Sequence, residues 1–367
     1  MQNHSHGAGA PIQIRSDRPR STNPADFSAI GRTEEQWRYV DASRLNDLDK
    51  PLVAFAGSLA GTVELPKSDS KVGSIGLPED LIAAQVWQAP DAVRFVSLKD
   101  GENQTIDIHT DAKSQSLQLF VETATHSVSR LILNHTGTGD LASVVEIAVG
   151  DESTLNLISI QNMSESSAFT SSQFIRVGRN ATINHIVVSI SGSVVRVVPS
   201  VSYAGPGGAA NLSGAYFAGS GQYIEHRPFI DHNQPNCTSD VSYKGALQGA
   251  TAHTVWVGDV LIRKAAEGTK TYELNRNLLL TDGARADSVP NLEIETGQIE
   301  GAGHASASGR FDDEQLFYLQ ARGISERDAK RLVVKGFLND VISKIGDDEL
   351  EDLLNQQIAI KLDKEGQ

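Results

Sequence analysis

A single cysteine, Cys237, lies in the stretch HNQPNCTSD, five residues after His232. Thiolate and imidazole together can hold zinc or iron, or can form an activated nucleophile. One cysteine in 367 residues excludes a disulfide within the chain and any four-cysteine site. No base with an orienting acid can be matched to Cys237 as a Cys–His catalyst requires. Cys237 therefore reads as a small packed residue, with only a minor claim to metal ligation.

The chain has ten histidines. His4 and His6 lie in a polar lead. His109, His126, His135, His185 and His253 sit in strand-like or turn contexts, where imidazole is more often structural than a ligand. His226 and His232 flank RPFID. His304 is different: it lies in EGAGHASASGRFDDEQ, among small residues that let a backbone or a bulky partner approach closely. Imidazole suits iron, so His304 is the leading metal candidate and Cys237 the weaker one.

Signatures of autonomous enzymes are missing. There is no GxxxxGK[ST] loop, GxSxG elbow, HExxH or CxxC, and no hexapeptide array. A carbohydrate lyase or hydrolase on a solenoid would need clustered acids along a groove. The acids here gather instead in DDEQ and GDDELEDLL, which read as helical. A formal charge of −14 argues against a broad grip on nucleic acid or anionic lipid. The run LVAFAGSLAG is too short to span a bilayer. The N-terminus lacks the basic-then-apolar pattern of a secretory signal, so a cytoplasmic protein is expected.

The elements that must position these residues fall into four stretches. Residues 1–24 form a lead expected to be disordered. Residues 25–91 form an N-terminal helical region, with a helix expected from about Thr33 to Leu48. Residues 92–310 carry short β-branched runs separated by Gly, Asn, Asp and Ser. Residues 311–367 turn helical. There DDEQLFYLQARG ends at Gly323, Ser325 and Asp328 make a capping box, and a further helix starts at Asp347.

The middle stretch repeats. GDESTLNLISI from Gly150 and GRNATINHIVV from Gly178 align at an offset of 28 residues, Leu155 matching Ile183 and Ile160 matching Val188. Weaker echoes begin at Gly207, Gln248 and Asp282. Such a period signals stacked units, here a β-solenoid, with a β-sandwich of similar hairpins as the alternative. In ELNRNLLL, Asn275 and Asn277 share one strand face and could hydrogen-bond along the stack. The C-terminal helices are expected to cap an open end of the solenoid.

Two long stretches resemble the SufB/SufD family of iron–sulfur cluster assembly proteins. The first holds His232, Pro235, Cys237 and Ser239, then Tyr243-Lys244-Gly245, then Asn275 to Leu280. The second holds Gln315 to Leu319 and Arg322 to Ile324, and EEQWRYVDASRL resembles that family's N-terminal signature. The resemblance implies a right-handed parallel β-helix between helical regions and a non-catalytic scaffold. It implies a SufB-like paralogue bound through the β-helix and a SufC-like ABC ATPase bound through the C-terminal region. A homodimer is expected in isolation. Iron or an iron–sulfur cluster would be held transiently at a shared interface, with FAD on the complex left open.

Gly303 and Ala305 flank His304, and there is one cysteine. That pattern is similar to SufD, with a cluster-carrying SufB-like scaffold as the alternative. It carries a shared cluster or iron ligand onto His304. Two positions depart from the family pattern: Ala302 stands where a cysteine is common, and Glu273 where glutamine is common.

Overall fold

The computed structural model describes residues 18–310 and 313–365, so the first 17 residues of the expected disordered lead lie outside the described residues. From residue 92 the β-branched runs become strands that wind as a parallel solenoid. Each coil contributes to an 11-stranded sheet on one wall and an 8-stranded sheet on the other. Short strands β1 (Val53–Ala54) and β2 (Val63–Pro66) precede the coils.

The first coil is β3 (Ala92–Leu98) with β4 (Asn103–His109), and the second is β5 (Gln115–Thr123) with β6 (Val128–Gly137). Next come β7 (Leu141–Val149) with β8 (Thr154–Met163), and β9 (Ala168–Val177) with β10 (Thr182–Ser191). The fifth coil is β11 (Val194–Tyr203) with β12 (Ala209–Ala218). In the sixth, the larger-sheet strand breaks into β13 (Tyr223–His226) and β14 (Phe229–His232) at Pro228, before β15 (Thr238–Leu247). The last two are β16 (His253–Ile262) with β17 (Lys270–Leu279), and β18 (Arg285–Ile294) with β19 (Gly301–Arg310).

The 28-residue echo is the coil register itself. Leu155 pairs with Ile183 and Ile160 with Val188, and the echo from Gly207 continues the same wall, with Ile183 opposite Ala210. The echoes from Gln248 and Asp282 fall on β16 and β18, in the opposite wall.

Both walls are apolar on both faces, as parallel strands covered on two sides must be. Leu157, Val187, Val195 and Val201 face inward and fill the lumen. The outer face of the larger sheet, through Val144, Phe174 and Val194, receives Trp37, Leu45, Leu48 and α1 (Leu81–Gln88). The outer face of the smaller sheet, through Ile158, Ile186, Val188 and Phe217, receives the C-terminal helices. Those on the sheet are α3 (Glu326–Ile342) and α4 (Asp348–Glu365), while α2 (Asp313–Ala321) packs against α3. Ser325 Oγ accepts from the Asp328 amide at 3.2 Å, and Gly323 takes φ 84° after α2. Among the described residues, no helix is long and apolar enough to cross a membrane.

Two expectations differ from the structure. No α-helix spans Thr33–Leu48; the segment makes 3-10 turns at Glu35–Trp37 and Ala42–Leu45. Asp41 explains the break, because its carboxylate takes the Ser43 amide at 3.1 Å and so competes with helical pairing. Asn46 and Asp47 then adopt positive φ. The second difference is the position of α3 and α4: they lie along the flank of the solenoid and do not plug its end. The outward isoleucines and Phe217 of the smaller sheet form the larger apolar face, and α3 and α4 bury it.

Candidate functional site

With α3 and α4 on the flank, the C-terminal end of the solenoid is left open among the described residues. Among the described residues β19 pairs only with β17, and β18 only with β16. Two parallel edges therefore present unpaired backbone groups side by side, a template for another chain. His304 lies on β19 and is exposed, with Gly303 and Ala305 beside it. One coil below, Glu273 is its register partner. In-register parallel partners project to the same face of a sheet, so His304 stands above Glu273 on the lumen side.

Toward this end the lumen changes from aliphatic to polar. Asn275 and Asn277 are buried inside it, and Asn277 Nδ2 donates to Asn275 Oδ1 at 2.8 Å. Asn275 Nδ2 donates to Tyr216 Oη at 2.9 Å, while Tyr216 Oη donates to Asn277 Oδ1 at 2.7 Å. Ser288 on β18 donates to Asn275 Oδ1 at 2.9 Å, which ties the network to the last coil. Gly245 makes room for Tyr216, since a Cβ there would collide with the ring. Glu273 is buried beside this network but outside it. Neither of its carboxylate oxygens has a hydrogen-bond partner. Burial, with Asp259 nearby, pushes its pKa up to about 8.

Cys237 lies elsewhere, at the turn into β15, two coils below His304. It is fully buried in the main core, and its Sγ sits 3.6 Å from the Gly205 and Pro235 carbonyls. Burial raises its pKa, which disfavours the thiolate that ligation or attack would need. His232 does not serve it. That ring stacks on Tyr203 with centroids 5.1 Å apart, and its Nε2 lies 2.9 Å from Ser239 Oγ. Among the described residues, no three or more His, Cys, Asp or Glu side chains group as a metal site.

Three further imidazoles are walled in. His135 packs edge-on against Phe169, His226 touches Ser189 Oγ at 3.0 Å, and His185 has no partner for either ring nitrogen. Burial lowers His135, His185 and His232 to about 4 and His226 to about 3. These histidines stay neutral in the fold but protonate in the unfolded chain once the pH drops below about 6.5. Their contribution is intact above that pH and is lost as it falls toward 4, by ~1.4 kcal/mol per pH unit for each ring. Glu273 opposes them over its own range, as one group against four. Unfolding followed by circular dichroism should therefore show stability collapsing between about pH 6.5 and 4. A flat profile across that window would contradict the neutral, buried assignment.

Sequence reasoning weighed His304 and Cys237 but gave Glu273 no role of its own. The signal was present: Glu273 shares strand parity with Asn275 and Asn277, which places it in the lumen. What the chain does not show is that no partner awaits it there.

A family model described as SUF system FeS cluster assembly, SufBD core domain, matches residues 106–337, from β4 into α3. An iron–sulfur cluster assembly SufBD family protein of Mycobacterium tuberculosis is 42% identical over 353 residues, covering 90% of this chain and 88% of the relative. A second SufBD family protein from the same strain is 27% identical over 225 residues, covering 61% of this chain and 26% of that relative. A Plasmodium berghei protein named iron–sulfur cluster assembly protein SufD is 26% identical over 258 residues, covering 69% of this chain and 19% of the relative.

Proposed function

The chain belongs to the SufBD family of the SUF iron–sulfur cluster assembly system, and from that membership we propose that it is a SufD-like, non-catalytic scaffold subunit. The observation that carries this reading is His304, exposed on an edge strand at the uncovered end of the solenoid. A cluster needs about four ligands. One exposed imidazole and one buried thiol do not supply them, so the remaining ligands come from across an interface. The paired edges of β18 and β19 suit a β-helical partner of the same kind. That one strain holds two family members, one 42% and the other 27% identical to this chain, supports a paralogue in that role. Without the paralogue, a second copy of this chain fits the same edges.

The flank offers a separate surface. Phe317 and Tyr318 on α2 are 72% and 56% exposed. A cavity of about 310 Å³ lies between α4 and the smaller sheet, lined by Ile132, Asn134, Leu353 and Gln357 among others. This surface suits the SufC-like ATPase, whose cycle would then work on the end-to-end interface from the side. Iron or a nascent cluster is cargo in this scheme, and the complex belongs in the cytoplasm.

Co-expression with SufB-like and SufC-like proteins should give one complex on gel filtration. The chain alone should hydrolyse no ATP and hold no cluster by visible absorbance. Failure of the complex to form would overturn the partner assignment. A stable cluster on the isolated chain would favour the SufB-like reading instead.

A further inference from the structure

Among the described residues, Glu273 alone buries a carboxylate with no hydrogen bond to either oxygen. A buried carboxyl group with no hydrogen-bond partner carries an uncompensated desolvation cost. The nearby lumen is otherwise well satisfied, with Asn275, Asn277, Tyr216 and Ser288 closing a network around one another. Glu273 could have been accommodated in that network but is not. Space is kept for it as well. Opposite, Gly258 lacks a Cβ that would fall 2.3 Å from the Trp256 ring and 2.7 Å from Glu273 Oε1. The coil above it on β19 carries the small residues Ala302, Ser306 and Ser308 on the same face as His304. Glu273 thus lies one coil below β19, the edge strand at the C-terminal end of the lumen.

We infer that Glu273 and His304 are two ligands of a single ferrous-iron site at the open end, with the remaining positions taken by water or by the partner. The two residues are stacked across adjacent coils, about 4.8 Å apart in backbone spacing, a gap that side chains of this length close around one ion. One carboxylate oxygen and one imidazole nitrogen are ligands that divalent iron accepts. Bound iron would supply the positive charge that Glu273 lacks in the fold. The inference rests on the reading that His304 faces an iron cargo, and adds which residue of this chain shares it.

The test uses the full chain, anaerobic Fe²⁺ as the probe, and two readouts: equilibrium dialysis and the iron-induced rise in melting temperature. The wild type should bind Fe²⁺ and melt higher with it. Glu273→Gln should be about as stable as wild type without iron, because the amide nearly matches the buried carboxyl in size and shape. It should bind Fe²⁺ at least tenfold more weakly and lose the thermal shift, and His304→Ala should do the same. Wild-type Fe²⁺ affinity in Glu273→Gln would overturn the inference, as would a wild-type chain that binds no Fe²⁺. Neither result touches the broader reading, which stands or falls on cluster assembly in cells carrying His304→Ala.

Discussion

Replacing Glu225 by alanine is expected to destabilise the protein by about 3–5 kcal/mol, the range for stranding buried charges by removing one partner. Glu225 sits on the outer face of β13 and is fully buried. Its Oε1 takes Arg227 Nη1 at 3.0 Å, its Oε2 takes Tyr223 Oη at 2.8 Å, and Arg196 Nε lies 3.6 Å away. Arg196 continues the cluster to Asp80 at 3.1 Å and stacks over Trp37 at 4.0 Å. Asp80 also caps α1 through the Ala83 amide at 2.8 Å. Without Glu225, the buried Arg227 loses its 3.0 Å carboxylate contact, while Arg196 keeps Asp80.

The same cluster pins the N-terminal segment to the solenoid, since both arginines also donate to the Gln36 carbonyl. The loss should appear in urea unfolding as a lower midpoint. It should also appear in limited proteolysis as new cleavage between residues 27 and 50. A change below about 1 kcal/mol would place the cluster among ion pairs that contribute little net stability.

The second large effect is functional. His304→Ala should leave the melting temperature and the complex intact, because the ring is exposed and removing it opens no cavity. Cluster assembly in cells should fall roughly tenfold or more, as loss of a ligand exceeds the 10–100-fold typical of its supporting groups. His109→Ala is the matched control. His109 is another exposed imidazole, on β4 in the first coil, far from the open end. Full assembly by His304→Ala, or an equal defect in His109→Ala, would remove the ligand assignment.

Much of this was legible in the chain. The 28-residue echo between Gly150 and Gly178 is the coil repeat, because each coil must return to the same wall in register. Asn275 and Asn277 could be placed in the lumen from strand parity. Ser325 could be placed as a helix cap from the residue three positions on. Each of these depends on local geometry or on a fixed period.

What failed shows where such reasoning stops. The stretch around Trp37 has helical character, yet Asp41 caps a short turn and Arg196, 159 positions away in the chain, takes up the Trp37 ring. The C-terminal helices looked fit to close the end of the solenoid. Their destination was decided by the outward faces of β8, β10 and β12, whose isoleucines and Phe217 form one patch only after the coils stack.

The sequence by itself determined the solenoid, its period, the inward parity of its strands and the small-residue setting of His304. The tertiary structure alone decided that the end near His304 stays open and that Glu273 has no hydrogen-bond partner. Satisfaction of a buried group depends on what several separate segments bring to it, and no spacing along the chain carries that information.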